Sequence, residues 1–238
     1  MSPQLDLDTL TLAKGAHEAG GAMCVMEAVA FIAGEPWSDR PACVLPVIGA
    51  FLRSWNDSLG DDDRQQLKRW IPEIVDTNAG DMVDVELSWM ALDWLIRVHT
   101  PAWLRLAGLV DHADTLTGMA EVTPETCPSI LPVLQAIRKD SYTAQDTAQD
   151  TASDTAWDTA RPAAWAAAWA TASDAAPDAA RATARATAQA AARAAARAAA
   201  WDTARAALQP TVIELQGSAH ELVGRMVAHA KAHIGAVA

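Results

Sequence analysis

Two phenylalanines and one tyrosine serve a chain of 238 residues, so the usual aromatic fillers of a core are nearly missing. Three cysteines, Cys24, Cys43 and Cys127, are too few and too scattered for a disulfide framework, and their odd number favours a reducing compartment. No apolar run reaches the roughly 20 residues that cross a bilayer. The opening Met1-Ser-Pro-Gln-Leu-Asp has no basic region leading into an apolar core, so no secretory signal is expected. The expectation is a soluble, cytoplasmic protein with no membrane partner. C-x-x-C, H-E-x-x-H, phosphate-loop and dinucleotide signatures are missing too.

Positive charge is also short. Lys and Arg total 18 against 30 Asp and Glu, for a formal net charge of −12. Nearly all of the excess lies before residue 141; between Thr143 and Leu208 seven Asp face six Arg. An acidic chain is repelled by a phosphate backbone, so direct nucleic-acid binding is not expected. Solubility is the plain reading of the charge. The sharper one is an acidic surface that imitates nucleic acid and occupies a DNA-binding protein.

What the chain has instead is tryptophan and alanine. Ten Trp are available to fill a core, each bringing a large area and one N–H donor. From Thr143 to Leu208 the sequence runs in units of four, with alanine at 144, 148, 152 and every fourth position to 204. The residue before each of these alanines is Thr or Ala. Alanine is the best helix former and lets helices approach closely. A helix turns about 100° per residue, so each unit drifts by about 40° and the alanine stripe winds around the helix. A straight partner can follow it for only about four or five units, and the 3.5-residue repeat of a left-handed coiled coil is excluded. Pro162 and Pro177 each remove a backbone donor and predict breaks, leaving rods near 143–160, 163–175 and 178–208. Asp146, Asp150, Asp154 and Asp158 repel at i, i+4, which makes the first stretch the loosest and 181–205 the firmest. One long kinked rod is the rival arrangement.

The rest of the chain reads as helical as well. Periodic apolar residues predict helices over Ala22–Ala33, stopped by Gly34-Glu-Pro36, and over Val44–Leu59, stopped by Gly60. Asp61-Asp-Asp63 offers acidic caps to a helix carrying Leu67, Trp70, Ile71 and Ile74. Asp81–Val98 reads as a largely buried helix, Pro101 as the start of a further turn, and Pro128–Ile137 as a short helix. No β-alternation stands out. The fold class is all-α: a Trp-rich helical bundle over 1–140, extended by alanine-rich tetrapeptide-repeat helices over 141–209, with a C-terminal helix over 210–238 packing on the rest.

Chemistry-bearing residues gather in Gly15-Ala-His17-Glu18 through Cys24-Val-Met-Glu27 and Ser38-Asp39-Arg40-Pro-Ala-Cys43. His17, Cys24 and Cys43, with Glu18 or Glu27, are metal-competent types, and zinc is the ion they would take. The bland alternative makes both cysteines small buried hydrophobes, with Glu27 capping a helix or pairing with Arg40. A Cys–His nucleophile pair from Cys24 or Cys43 with His17 or His99 has no local signature. Glu27, Glu35 and Asp39 are acid–base types that a solvated face explains better. Near the C-terminus, His229 and His233 stand at i, i+4 and share a helix face that can hold a metal weakly, or can simply be solvated. The Thr-Ala units resemble fish antifreeze helices in composition, but threonines every four residues spiral where a spacing of eleven would align them.

The stretch Cys24-Val-Met-Glu-Ala-Val-Ala-Phe-Ile-Ala-Gly-Glu-Pro, with Ser38 to Asp57, Leu92-Asp-Trp-Leu-Ile-Arg-Val-His-Thr-Pro-Ala-Trp-Leu and Pro210-Thr-Val-Ile-Glu-Leu-Gln, resembles a group of uncharacterised proteins of actinobacteria and their phages. The resemblance covers most of the chain outside the repeat. It implies an intracellular protein, of bacterial or phage origin, and carries no activity or site residue with it. The alanine tract alone is similar to alanine-rich proteins classed as immunity proteins. The leading functional expectation is a non-enzymatic interaction protein that binds a protein partner or assembles with itself through Trp157, Trp165 and Trp169, since Trp is a favoured interface anchor. The alternative is a small metal- or ligand-binding protein or enzyme with its site around His17, Cys24 and Cys43.

Overall fold

The computed structural model describes residues 5–147, 182, 185–190 and 204–237. They form an all-α fold: among the described residues there is no strand, and Leu12 and Met23 share an isolated bridge. None of the described helices is long and apolar enough to cross a membrane.

Helix α1 (Val25–Ala33) starts three residues later than the apolar pattern suggests, because Cys24 caps it. The Cys24 thiol accepts the Glu27 N–H at 3.5 Å and the Glu27 carboxylate accepts the Cys24 N–H at 2.7 Å, a capping box with sulfur in place of a hydroxyl. Gly34, at φ +71°, ends the helix in the left-handed conformation and returns its N–H to the last turn. Helix α2 (Pro46–Ser58) begins with proline at its first position, and its Val47 N–H is taken by Asp84 of a later helix at 2.8 Å. The end of α2 is closed from outside: buried Arg64 donates to Asn56 O at 2.8 Å and Leu59 O at 2.6 Å.

The helix expected from Asp61 onward is three pieces: α3 (Asp61–Arg64), a 3-10 segment (Gln65–Trp70) and α4 (Ile71–Ile74). Gly60 is the cap, and Asp61, Asp62 and Asp63 fill the first turn, where the helix dipole favours them. Pro72 has no N–H for the Lys68 carbonyl, and the tightened segment before it accommodates that loss. A second proline acts differently in α5 (Asp81–Trp94). The helix does not stop at Val98 but runs through a π-helical turn (Leu95–His99) into α6 (Thr100–Leu106). Pro101 cannot donate, and Thr100 gives both its N–H and its hydroxyl, at 2.7 Å, to the Leu95 carbonyl. The widened turn keeps the helix continuous across a proline. Helices α7 (Val110–Thr117) and α8 (Cys127–Thr147) follow.

The long C-terminal helix α9 (Ala204–Val237) begins inside the alanine tract and carries Pro210 within it, so no helix end falls between 209 and 210. Likewise α8 runs past Asp140 into the tract. Residues 185–190 are helical, with Ala188 and Ala190 buried and the Thr187 hydroxyl on the Leu134 carbonyl at 3.2 Å. Pro162, Pro177, Trp157, Trp165 and Trp169 lie outside the described residues.

Helix α9 packs on α2, α5 and α6 through Leu215, Ala219, Leu222, Val223, Met226 and Ala230, all buried and all at helical spacing. Beneath it lies an aromatic cluster. Phe51 meets Trp55 and Trp94 edge to face at 5.6 and 5.9 Å, and His220 of α9 sits 4.7 Å from Trp55. Trp here fills the space that Phe and Tyr leave, and its N–H finds partners: Trp70 on His220 Nδ1 at 2.9 Å, Trp94 on Ser218 Oγ at 3.1 Å, and Trp103 on His99 Nε2 at 3.2 Å.

Two glycines separate helix propensity from backbone requirement. Gly217 lies inside α9 with nothing within 4 Å of where a Cβ would stand, so Gly217→Ala is expected to raise stability by about 0.5–1 kcal/mol. Gly34→Ala is expected to lower it by roughly 1–2 kcal/mol, because its φ of +71° is strained for any Cβ. Thermal melts of the two variants check both signs.

Candidate metal centre

Glu86 lies on α5, one turn into the helix, and His229 and His233 lie on α9, one turn apart. Docking α9 on α5 brings the three together. His229 Nε2 is 2.6 Å from Glu86 Oε2, and His233 Nε2 is 3.7 Å from the same oxygen. One ligand atom from each residue lies within 4.8 Å of the others, which makes this a grouping that can hold a metal ion. Donors about 2.0–2.1 Å from a tetrahedral zinc stand roughly 3.3 Å apart, a value that 2.6 and 3.7 Å bracket.

The outer contacts suit the role. His233 Nδ1 donates to the His229 carbonyl at 2.9 Å, which places a proton on Nδ1 and turns Nε2 towards Glu86. The two rings lie 4.4 Å apart at 42°. Lys231, between them in sequence, reaches Glu73 on α4 at 2.9 Å, so its ammonium is engaged elsewhere. The three side chains are each a third to a half exposed, so an ion has access from solvent. Two imidazoles and a carboxylate, with no thiolate, suit zinc and its first-row neighbours. Three protein ligands leave a fourth position open.

The residues singled out near the N-terminus meet only in part. His17 and Cys24 meet at Glu27, which is 1% exposed. Its carboxylate accepts the His17 N–H at 2.6 Å, the Cys24 N–H at 2.7 Å and the His17 ring at 2.8 Å. Burial pushes this carboxyl up, but the Cys24 and His17 donors outweigh burial and hold it below the usual carboxylate range. Glu27 thus caps α1, and its side-chain partner is His17, not Arg40. The Cys24 thiol is pushed up to about 12, first by burial and then by the Glu27 charge, so in the metal-free chain it is a poor nucleophile near neutral pH. Cys43 stands apart: its N–H goes to Glu35 Oε1 at 2.7 Å, and burial pushes its thiol up too. Among the described residues, His17, Cys24 and Cys43 do not form a metal-competent grouping, and Glu86, His229 and His233 do.

The other acid–base candidates hold loops. Glu35 accepts the Ala42 and Cys43 N–H groups, and Asp39 lies against Arg53 at 3.7 Å. His99 is buried between Trp94 and Trp103. The i, i+4 histidine pair was legible in the sequence. Glu86 was not, because 143 residues separate it from His229 and only the packing of α9 makes them neighbours.

No protein-family model, curated protein or solved structure matches the chain.

Removing charge from the Glu27 knot has a defined cost. Glu27→Gln leaves one oxygen for three donors and is expected to lose about 2–4 kcal/mol, measured by urea unfolding. The Glu27 carboxyl lies lower in the folded chain than the ordinary 4.5, so its contribution is complete above about pH 4.5 and is lost as pH falls through the folded value. The acid limb of wild-type stability is therefore expected to flatten in the Gln variant.

Proposed function

We propose that this chain is a non-catalytic, metal-binding interaction protein. A zinc-class ion at Glu86, His229 and His233 clamps α9 to α5. The observation that carries this reading is the convergence of two imidazoles and a carboxylate from two helices, with His233 already oriented by the His229 carbonyl. The clamp lies on the helix into which the alanine tract runs. In this reading the tract forms close-packed helices, broken at Pro162 and Pro177, that extend a Trp-rich bundle. Trp157, Trp165 and Trp169 would anchor a protein partner or a second copy of the chain in the cytoplasm.

Equilibrium dialysis of the full chain is expected to find one zinc ion per molecule. Glu86→Ala or His229→Ala should release it, while His17→Ala and Cys24→Ser should retain it. Zinc at a hundredfold excess over its Kd should stabilise the wild type by about 2.7 kcal/mol. Retention by Glu86→Ala with loss in Cys24→Ser would move the site to the N-terminal cluster and end this reading.

The interaction role has its own measurement. Trp165→Ala together with Trp169→Ala is expected to lower the sedimentation coefficient of a self-associating wild type, or to remove a protein captured by it. A wild type that is monomeric and captures nothing counts against the role.

A further inference from the structure

Nine residues before the first histidine of the metal grouping, α9 carries a third histidine in different surroundings. His220 lies half-buried against the 3-10 segment and α2. Trp70 Nε1 is 2.9 Å from His220 Nδ1. An indole N–H only donates, so Nδ1 must carry a lone pair and the ring must be neutral. The remaining ring N–H, on Nε2, faces Gln66 Oε1 at 3.4 Å. Trp55 lies 4.7 Å from the ring and Trp70 stacks at 27°.

The charges around it favour the neutral form. On the 3-10 segment, Arg69 lies over the Trp70 ring at 5.2 Å. On α3, Asp63 is taken by Gln216 of α9 at 3.1 Å, one turn before His220. Trp55, from α2, is uncharged. Glu221, the neighbour on α9, is exposed. Among the described residues, no carboxylate is bonded to the ring in the way that Glu27 holds His17 or Glu86 holds His229. A proton on Nδ1 would face the Trp70 N–H donor directly and would add a cation beside Arg69.

From this geometry we infer that His220 is a proton-sensitive latch on α9: neutral, it accepts the Trp70 N–H and seats the helix; protonated, it loosens that seat. The inference goes beyond the metal reading and rests on it only for the link to the ion. A metal at Glu86, His229 and His233 holds the same helix nearer its C-terminal end, so metal binding and proton uptake act in opposite directions on the seating of α9.

The direction follows from linkage. Burial, and then Arg69, pushes the His220 ring below its ordinary 6.5 in the folded chain. The unfolded chain therefore binds the proton more readily. The contribution of His220 is complete above about pH 6.5 and is lost as pH falls from there through the folded value.

The test follows Tm and tryptophan emission of the metal-free full chain between pH 8 and pH 5. The wild type is expected to lose Tm and change emission below about pH 6.5. His220→Gln, whose side-chain oxygen still accepts the Trp70 N–H but does not titrate, should lose that part of the pH dependence while keeping the neutral-pH Tm within a few degrees. Persistence of the full dependence in a folded His220→Gln overturns the latch. Should that variant not fold, the imidazole NMR titration of the wild type decides: a His220 midpoint below 6.5 supports the latch, and one at or above it overturns it. Zinc should shift the wild-type acid transition to lower pH, by at most about two units at a hundredfold excess over Kd, and should not do so in Glu86→Ala. Loss of the zinc shift alone, with the His220 dependence intact, removes the metal reading and leaves the latch standing.

Discussion

The seating of α9 on α2, α5 and α6 is the contact on which the rest of this molecule depends. Its buried stripe includes Leu215, Leu222, Val223 and Met226, each worth roughly 1.5–3 kcal/mol in burial, against a net stability of about 5–15 kcal/mol for a typical domain. A single hydrogen bond contributes nearer 1 kcal/mol. The apolar stripe therefore docks the helix. The polar contacts along it, from Gln216 on Asp63 through Trp94 on Ser218 to Lys231 on Glu73, specify where it stops sliding. Both chemically interesting places on α9, the His220 ring and the Glu86–His229–His233 grouping, exist only because that register is held.

Shortage of Phe and Tyr shapes the interior under α9. Trp fills the space, but each indole brings an N–H that is costly to bury without a partner. Ser218 and His220 on α9 take the N–H groups of Trp94 and Trp70, and His99 takes that of Trp103. A core of Phe would need none of these acceptors. The neutral histidine in the latch thus follows from the choice of filler as much as from any demand of function.

Prolines and carboxylates act locally in ways that the periodic pattern does not reveal. Pro72 and Pro101 both deny a carbonyl its partner, yet one lies after a tightened segment and the other after a widened turn. Glu27, Glu35 and Asp39 resemble candidate acids in the sequence. In the fold they satisfy backbone N–H groups or an arginine, which is what carboxylates near helix starts and loops usually do.

Helical periodicity was enough to identify α1, α2, α5 and the helical C-terminus, because apolar residues at i, i+3 and i+4 have no other compact use. The pairing of His229 with His233 was readable for the same reason: both lie on one helix, where spacing fixes direction. The cap at Cys24, the π-helical turn before Pro101 and the continuity of α9 through Pro210 were not readable, since each turns on which donor satisfies which carbonyl. Glu86 and Trp70 belong to this second class as well. They reach their α9 partners across 143 and 150 residues of chain, and side-chain packing between helices, which has no sequence period, decides such distant encounters.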